Sequence, residues 1–102
     1  MAKGVPADDE MLLLRARAAL ADGDPEKAAR LLDAAEEQRS EQWCLLRGEC
    51  ALAAGEYARA IECFAPVEER ALPQLERCYA ALGDYQKAYF YAKRQRETRK
   101  DK

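Results

Sequence analysis

Gly23-Asp24-Pro25-Glu26-Lys27-Ala28, Gly55-Glu56-Tyr57-Ala58-Arg59-Ala60 and Gly83-Asp84-Tyr85-Gln86-Lys87-Ala88 are three versions of one phrase. Each reads glycine, acid, proline or tyrosine, a variable residue, base, alanine. Each follows an apolar run that ends in Leu20-Ala21-Asp22, Leu52-Ala53-Ala54 or Ala80-Ala81-Leu82. A phrase that recurs every few tens of residues marks a stacked helical array, in which each helix pair buries its apolar face only against its neighbours.

The flanking residues divide the chain into helices. Asp8 or Asp9 is expected to cap a first helix through about Asp22, because Leu12, Ala16, Ala19 and Leu20 fall on one helical face. Gly23 supplies its left-handed stop. Asp24 then acts as N-cap with Pro25 at the first helical position, opening a helix expected to run to about Gln38. Ser40 caps a third helix that ends before Gly55, and Tyr57 to about Val67 forms its partner. Pro73 suits the first turn of a fifth helix reaching Leu82, and Tyr85 opens a sixth. The expected organisation is a terminal segment over residues 1–7, a helical domain over 8–96 and a charged tail over 97–102.

The repeating glycines are 32 and 28 residues apart, near the roughly 34-residue tetratricopeptide period. With this spacing and the phrase itself, the chain resembles a tetratricopeptide repeat protein. The resemblance implies an all-α, right-handed superhelical stack of three antiparallel helix pairs. In that family a small residue lets the paired helices approach closely; Ala16 and Gly48 stand in its place in the first helices, and Ala28, Ala60 and Ala88 in the second. Leu32 and Phe64 match the large apolar residue that follows. The departures are Arg15 and Arg47 where leucine is usual, Glu76 where the residue should be small, and Ala92 where it should be large.

Composition narrows the kind of work. The chain has 102 residues, 49 % of them apolar, which is enough for one modest core. It lacks histidine, and Cys44, Cys50, Cys63 and Cys78 lie 6, 13 and 15 residues apart, so neither the ligand types nor the spacing of a zinc site is present. No metal and no cofactor are expected, and the thiols are read as small hydrophobes in a cytoplasmic protein without a leader or a membrane span. One serine, one threonine and no histidine leave nothing from which to build a nucleophile and base. The adjacent carboxylates Asp8/Asp9, Glu36/Glu37 and Glu68/Glu69 diverge by about 100° on a helix instead of converging on a substrate. No catalytic residues are assigned, and the chain is not expected to be an enzyme.

Residues 1–92 carry 11 bases and 17 acids, whereas 93–102 carry six bases and two acids. The acidic body argues against nucleic acid as the main partner. The basic end, Lys93 onward, keeps RNA or an anionic surface as an alternative. The resemblance implies instead a concave groove for a protein or peptide, floored by Leu13, Arg17 and Leu20, then Gln42, Leu45, Glu49 and Ala53, then Arg70, Arg77 and Ala81. Arg17, Glu49 and Arg77 would alternate in sign along it. The carboxylate-gripping version of the family has its matching places here at Leu13, Arg17, Leu46, Arg70 and Gln74, of which Arg70 alone retains the chemistry, so capture of a chaperone's terminal carboxylate is not expected. The reading is therefore a protein-binding adaptor, with a small chaperone for an aggregation-prone client as its nearest alternative. Alignment of the second helices places Tyr89 in the core and Phe90 at a position that is polar in the other copies, Arg30 and Glu62. Phe90 is accordingly expected to mark a contact edge on the last helix, through which a homodimer could form.

Overall fold

A computed structural model describes the backbone of residues 7–100 and the side chains of 8–97. It is all-α: α1 (Ala7–Ala21), α2 (Pro25–Asp33), α3 (Glu41–Ala53), α4 (Tyr57–Phe64), a 3-10 segment (Ala65–Arg70), α5 (Leu72–Ala81) and α6 (Tyr85–Lys100), with no strand among the described residues. The helices pack as α1 with α2, α3 with α4 and α5 with α6, while α1 also touches α3 and α3 touches α5. The first helices of the pairs thus meet along one side, while each pair joins the next through α2 on α3 and α4 on α5.

The repeated phrase makes the turns. Gly23, Gly55 and Gly83 adopt φ of 83°, 80° and 86°, the left-handed region open to glycine at no steric cost. The next residue's N–H reaches back to close each helix: Asp24 to the Ala19 carbonyl at 2.9 Å, Glu56 to Ala51 at 2.8 Å and Asp84 to Tyr79 at 2.8 Å. The glycine N–H groups bond Leu20, Leu52 and Ala80 at 3.0 to 3.1 Å inside that loop, which completes the helix-ending motif in all three copies. Asp24 and Asp84 then cap the following helices by accepting from the N–H of Lys27 and Lys87. Ser40 caps α3 through the N–H of Trp43 at 3.1 Å.

Two helices stop earlier than the sequence suggests. α2 ends at Asp33 instead of running to Gln38, because the groups that would extend it are taken by distant side chains. Asp9 accepts the N–H groups of Glu36 and Glu37 at 3.0 and 2.7 Å. On the acceptor side, the Trp43 indole donates to the Leu32 carbonyl at 2.7 Å and the Gln38 amide donates to that of Asp33 at 3.1 Å. Asp9 is accordingly buried within the first turn of α1, and neither it nor Asp8 caps that helix, which starts at Ala7. α4 ends at Phe64 and not Val67, since Pro66 has no N–H to give and Val67 leaves helical geometry at φ −122°. α6 continues beyond residue 96 to Lys100; residues 1–6 and 101–102, which complete the expected terminal segments, lie outside the described residues.

The core has two parts. Leu13, Ala16, Ala19, Ala28, Leu32, Leu46 and Cys50 form one; Ala51, Ala60, Phe64, Ala71, Leu75 and Cys78 form the other. At their junction the Phe64 ring fills the space over Gly48, where an added Cβ would fall 2.5 Å from the ring. Arg47, in the place of a usual leucine, is buried and pairs with Asp33 at 3.1 Å. Arg15, its counterpart in α1, is exposed, with no helix pair packed on that side of α1 among the described residues.

α6 is held differently from α2 and α4. Ala92 stands where Leu32 and Phe64 plug the other pairs, so ring and polar contacts take over. Tyr91 stacks on Tyr79 at 5.6 Å between ring centres and donates to Glu68 at 2.9 Å. Gln95 donates to Glu76 at 2.7 Å, and Arg94 pairs with Glu68 and Glu69. Tyr89, expected in the core, is instead 62 % exposed, since the residues level with it, Ala29 and Ile61, are sheltered by a following helix and none packs on that side of α6 among the described residues.

Gly48→Ala tests the central packing by the sign of its effect. At an open helical site this change stabilises by about 1 kcal/mol; against the buried Phe64 ring it should destabilise by about 1 to 3 kcal/mol in chemical denaturation. Tyr91 gives a second test. Burial, then the hydrogen bond to Glu68, pushes its phenol up to about 12. Because the folded state holds this proton more tightly, the contribution is complete below the ordinary tyrosine range and is lost as pH rises from about 10 to 12. Tyr91→Phe should flatten that part of the stability profile.

Candidate functional site

The first helices of the three pairs line two adjoining hollows. One, of about 460 Å³, is bounded by Arg17, Leu20, Ala21, Gln42, Leu45, Leu46 and Glu49. The other, of about 400 Å³, is bounded by Leu20, Glu49, Leu52, Ala53, Pro73, Gln74 and Arg77. Leu20 and Glu49 belong to both. Together they make a groove along α1, α3 and α5 with an apolar floor and charges at its walls.

Seven of the ten groove residues expected from the sequence, Arg17, Leu20, Gln42, Leu45, Glu49, Ala53 and Arg77, border these hollows, and Ala81, exposed at the end of α5, does not. Leu13 does not. It is 5 % exposed in the first core cluster, because Asp9, Leu13, Ala16 and Leu20 form one stripe of α1 and its first members face α2 and α3. Arg70 does not either; it ends the 3-10 segment and binds Glu41 at 2.6 Å, beside a separate hollow. The places matching the carboxylate-gripping version are scattered in the same way, with Leu13 and Leu46 buried and Arg70 turned to Glu41.

Gln74 enters the groove and was not among the residues expected to line it. Its amide donates to Glu49 at 3.3 Å, which links α5 to α3, while its Oε1 is buried without a hydrogen-bond partner. Nothing in the repeated phrase marks this residue, because its role depends on a partner 25 positions away. Neither Arg17 nor Arg77 forms an ion pair among the described residues, so both walls of the groove offer an uncommitted positive charge.

The thiols are chemically quiet. Cys44, Cys50 and Cys78 are buried, Cys63 is partly so, and all four are free. Burial raises each of them, Cys50 to about 11. Among the described residues no group of three or more acidic or cysteine side chains could hold a metal ion. No helix among them is long and apolar enough to cross a membrane.

A helical repeat whose pairs close on left-handed glycines and cross on alanine and glycine defines the class of protein. The family model for the protein kinase G tetratricopeptide repeat matches residues 2–82, most of the chain, and the chain belongs to that tetratricopeptide repeat family. The match covers the groove-lining helices α1, α3 and α5 up to Leu82 and stops before α6. No curated protein and no solved structure matches the chain.

The raised thiol of Cys50 predicts slow alkylation. At pH 8 its thiolate population should be roughly a hundredfold below that of an ordinary cysteine, so modification of the native protein should lag far behind that of the unfolded chain. Equal rates in the two states would contradict the burial of this thiol.

Proposed function

We propose that this chain is a non-enzymatic protein-binding adaptor, which takes a peptide or helix in the groove formed by α1, α3 and α5. The observation that carries this reading is the pair of joined hollows, with Leu20 and Glu49 shared between them and unpaired Arg17 and Arg77 at opposite ends. Such a groove favours a ligand with apolar anchors and the charge order acid, base, acid, complementary to Arg17, Glu49 and Arg77. The orphan Gln74 Oε1 adds a place for a ligand N–H, since a buried acceptor left unpaired costs about 1 to 3 kcal/mol. Family membership supports the same reading, because tetratricopeptide repeats are interaction modules. The kinase in the family's name gives a setting in which catalysis would belong to another domain or protein and these helices would supply contacts. The free, protonated thiols favour a reducing, cytoplasmic setting. A chaperone's client would use the same groove. The exposed edge of α6, where Phe90 is 50 % exposed beside Arg94, is the second contact surface in this reading.

Reversing both wall charges, Arg17→Glu with Arg77→Glu, tests the groove. Helicity and melting should stay close to wild type, since exposed charges contribute roughly 0 to 1 kcal/mol each. Binding of a labelled acid-base-acid peptide, followed by fluorescence anisotropy, should fall at least about tenfold, which corresponds to 1.4 kcal/mol. The same double variant should lose partners retained by the wild type on affinity capture. Unchanged binding in both assays would move the recognition surface away from the groove.

A further inference from the structure

The three repeats can be compared position by position by counting from Gly23, Gly55 and Gly83. Met11, Leu14 and Ala18 of α1 then correspond to Trp43, Leu46 and Cys50 of α3 and to Ala71, just before α5, with Gln74 and Cys78 of α5. In the second and third repeats these positions are buried or half-buried against the preceding helix pair. In α1 they are open: Met11 is 56 % and Leu14 61 % exposed. The opposite end of the molecule shows the complementary vacancy. Tyr85 and Tyr89 correspond to Pro25 and Ala29 and to Tyr57 and Ile61, all half-buried beneath the following pair, yet Tyr85 is 71 % and Tyr89 62 % exposed.

The molecule therefore carries both halves of one junction, an apolar stripe on α1 built like the receiving side of a repeat and an aromatic stripe on α6 built like the presenting side. We propose that a second copy of this chain covers the α6 edge with its own α1, so that copies stack head to tail. Charge supports this occupant. Successive helices in the stack run antiparallel, so the first turn of the incoming α1, with Asp8 and Glu10 exposed, comes alongside the end of α6, where Arg96 is exposed. The helix dipoles add to this pairing, because an acidic N-terminal turn meets a basic C-terminal one. One internal tie is reversed: Arg15 takes the place of Arg47 and Lys93 that of Asp33, so where the chain has an ion pair the junction between copies sets two positive charges opposite each other. The contact is for that reason weaker than the junctions inside the chain, and association is reversible. Because the two surfaces differ, the contact is heterologous and does not close at two copies. It leaves the groove residues Arg17 and Arg77 uncovered, so it is independent of the groove and gives an occupant to the second contact surface of the proposed function.

The test uses two variants that each destroy one half of the junction, Leu14→Glu on α1 and Tyr89→Glu on α6. Both sites are exposed, so folding should persist, as circular dichroism would register; Met11→Glu and Tyr85→Glu serve in their place where it does not. In sedimentation over a roughly hundredfold range of concentration, the wild type should grow beyond a dimer and each variant should stay a monomer. An equimolar mixture of the two should form dimers and nothing larger, because one intact head and one intact tail remain. A wild type that is monomeric throughout overturns the proposal. So does either variant that still dimerises alone, which would make the contact symmetric. Anisotropy with the groove peptide, run on the same variants, should be unchanged, which separates this outcome from failure of the groove.

Discussion

The Phe64 ring occupies the volume that any side chain at position 48 would need, and the middle of the molecule depends on that exclusion. With glycine there, α3 and α4 approach until a buried aromatic fills the gap between them. Phe64 belongs to the same core cluster as Ala71, Leu75 and Cys78, so the seat of one ring fixes how the second pair meets the third. The first pair uses a smaller version of the same solution, with Ala16 and Ala28 at the crossing and Leu32 as the plug. The third pair lacks it: Ala92 is too small to plug anything, and α6 is bound by the Tyr79–Tyr91 stack and carboxylate contacts instead. Apolar filling thus gives way to polar attachment along the chain.

That gradient shapes the groove. Its floor lies on α1, α3 and α5, which are placed by the two core clusters, whereas its far wall, at Gln74 and Arg77, is positioned by α5 and the Gln74–Glu49 hydrogen bond. In the proposed reading, helices joined by one polar strut would hold a peptide in a fixed direction, and the order of the charges would give that direction a sign.

What could be read from the sequence was what depends on neighbours in sequence. The glycine turns, the Asp24 and Ser40 caps and the small residues at the crossings each need only a few adjacent positions, and each appears as expected. What escaped depends on distance along the chain. α2 stops early because Asp9, 27 and 28 residues away, removes its donors. Arg47 is tolerated in the core because Asp33, 14 residues away, neutralises it. Leu13 and Leu20 share a face of α1, and only the placement of α2 and α3 decides that the first is buried and the second borders the groove. Tyr89 was read from its equivalents Ala29 and Ile61, but an equivalent position is equally buried only where the next pair exists. The residues bordering the groove were mostly legible because the repeat phase assigns a face; Gln74 was not, because its part comes from Glu49.

Asp9 makes the order of one piece of backbone depend on another that is remote in sequence. It sits in the first turn of α1, where helices ordinarily fray, yet the linker between α2 and α3 hangs on it through two adjacent N–H groups. Opening of the N-terminal turn therefore releases the linker as well, and with it the strand of chain that delivers Ser40 and Trp43 to the start of α3. The start of the molecule and the start of its second repeat form one cooperative opening unit. In hydrogen exchange the amides of Glu36 and Glu37 would follow the fraying of a helix that is remote in sequence, while α2, which lies between them, stays closed.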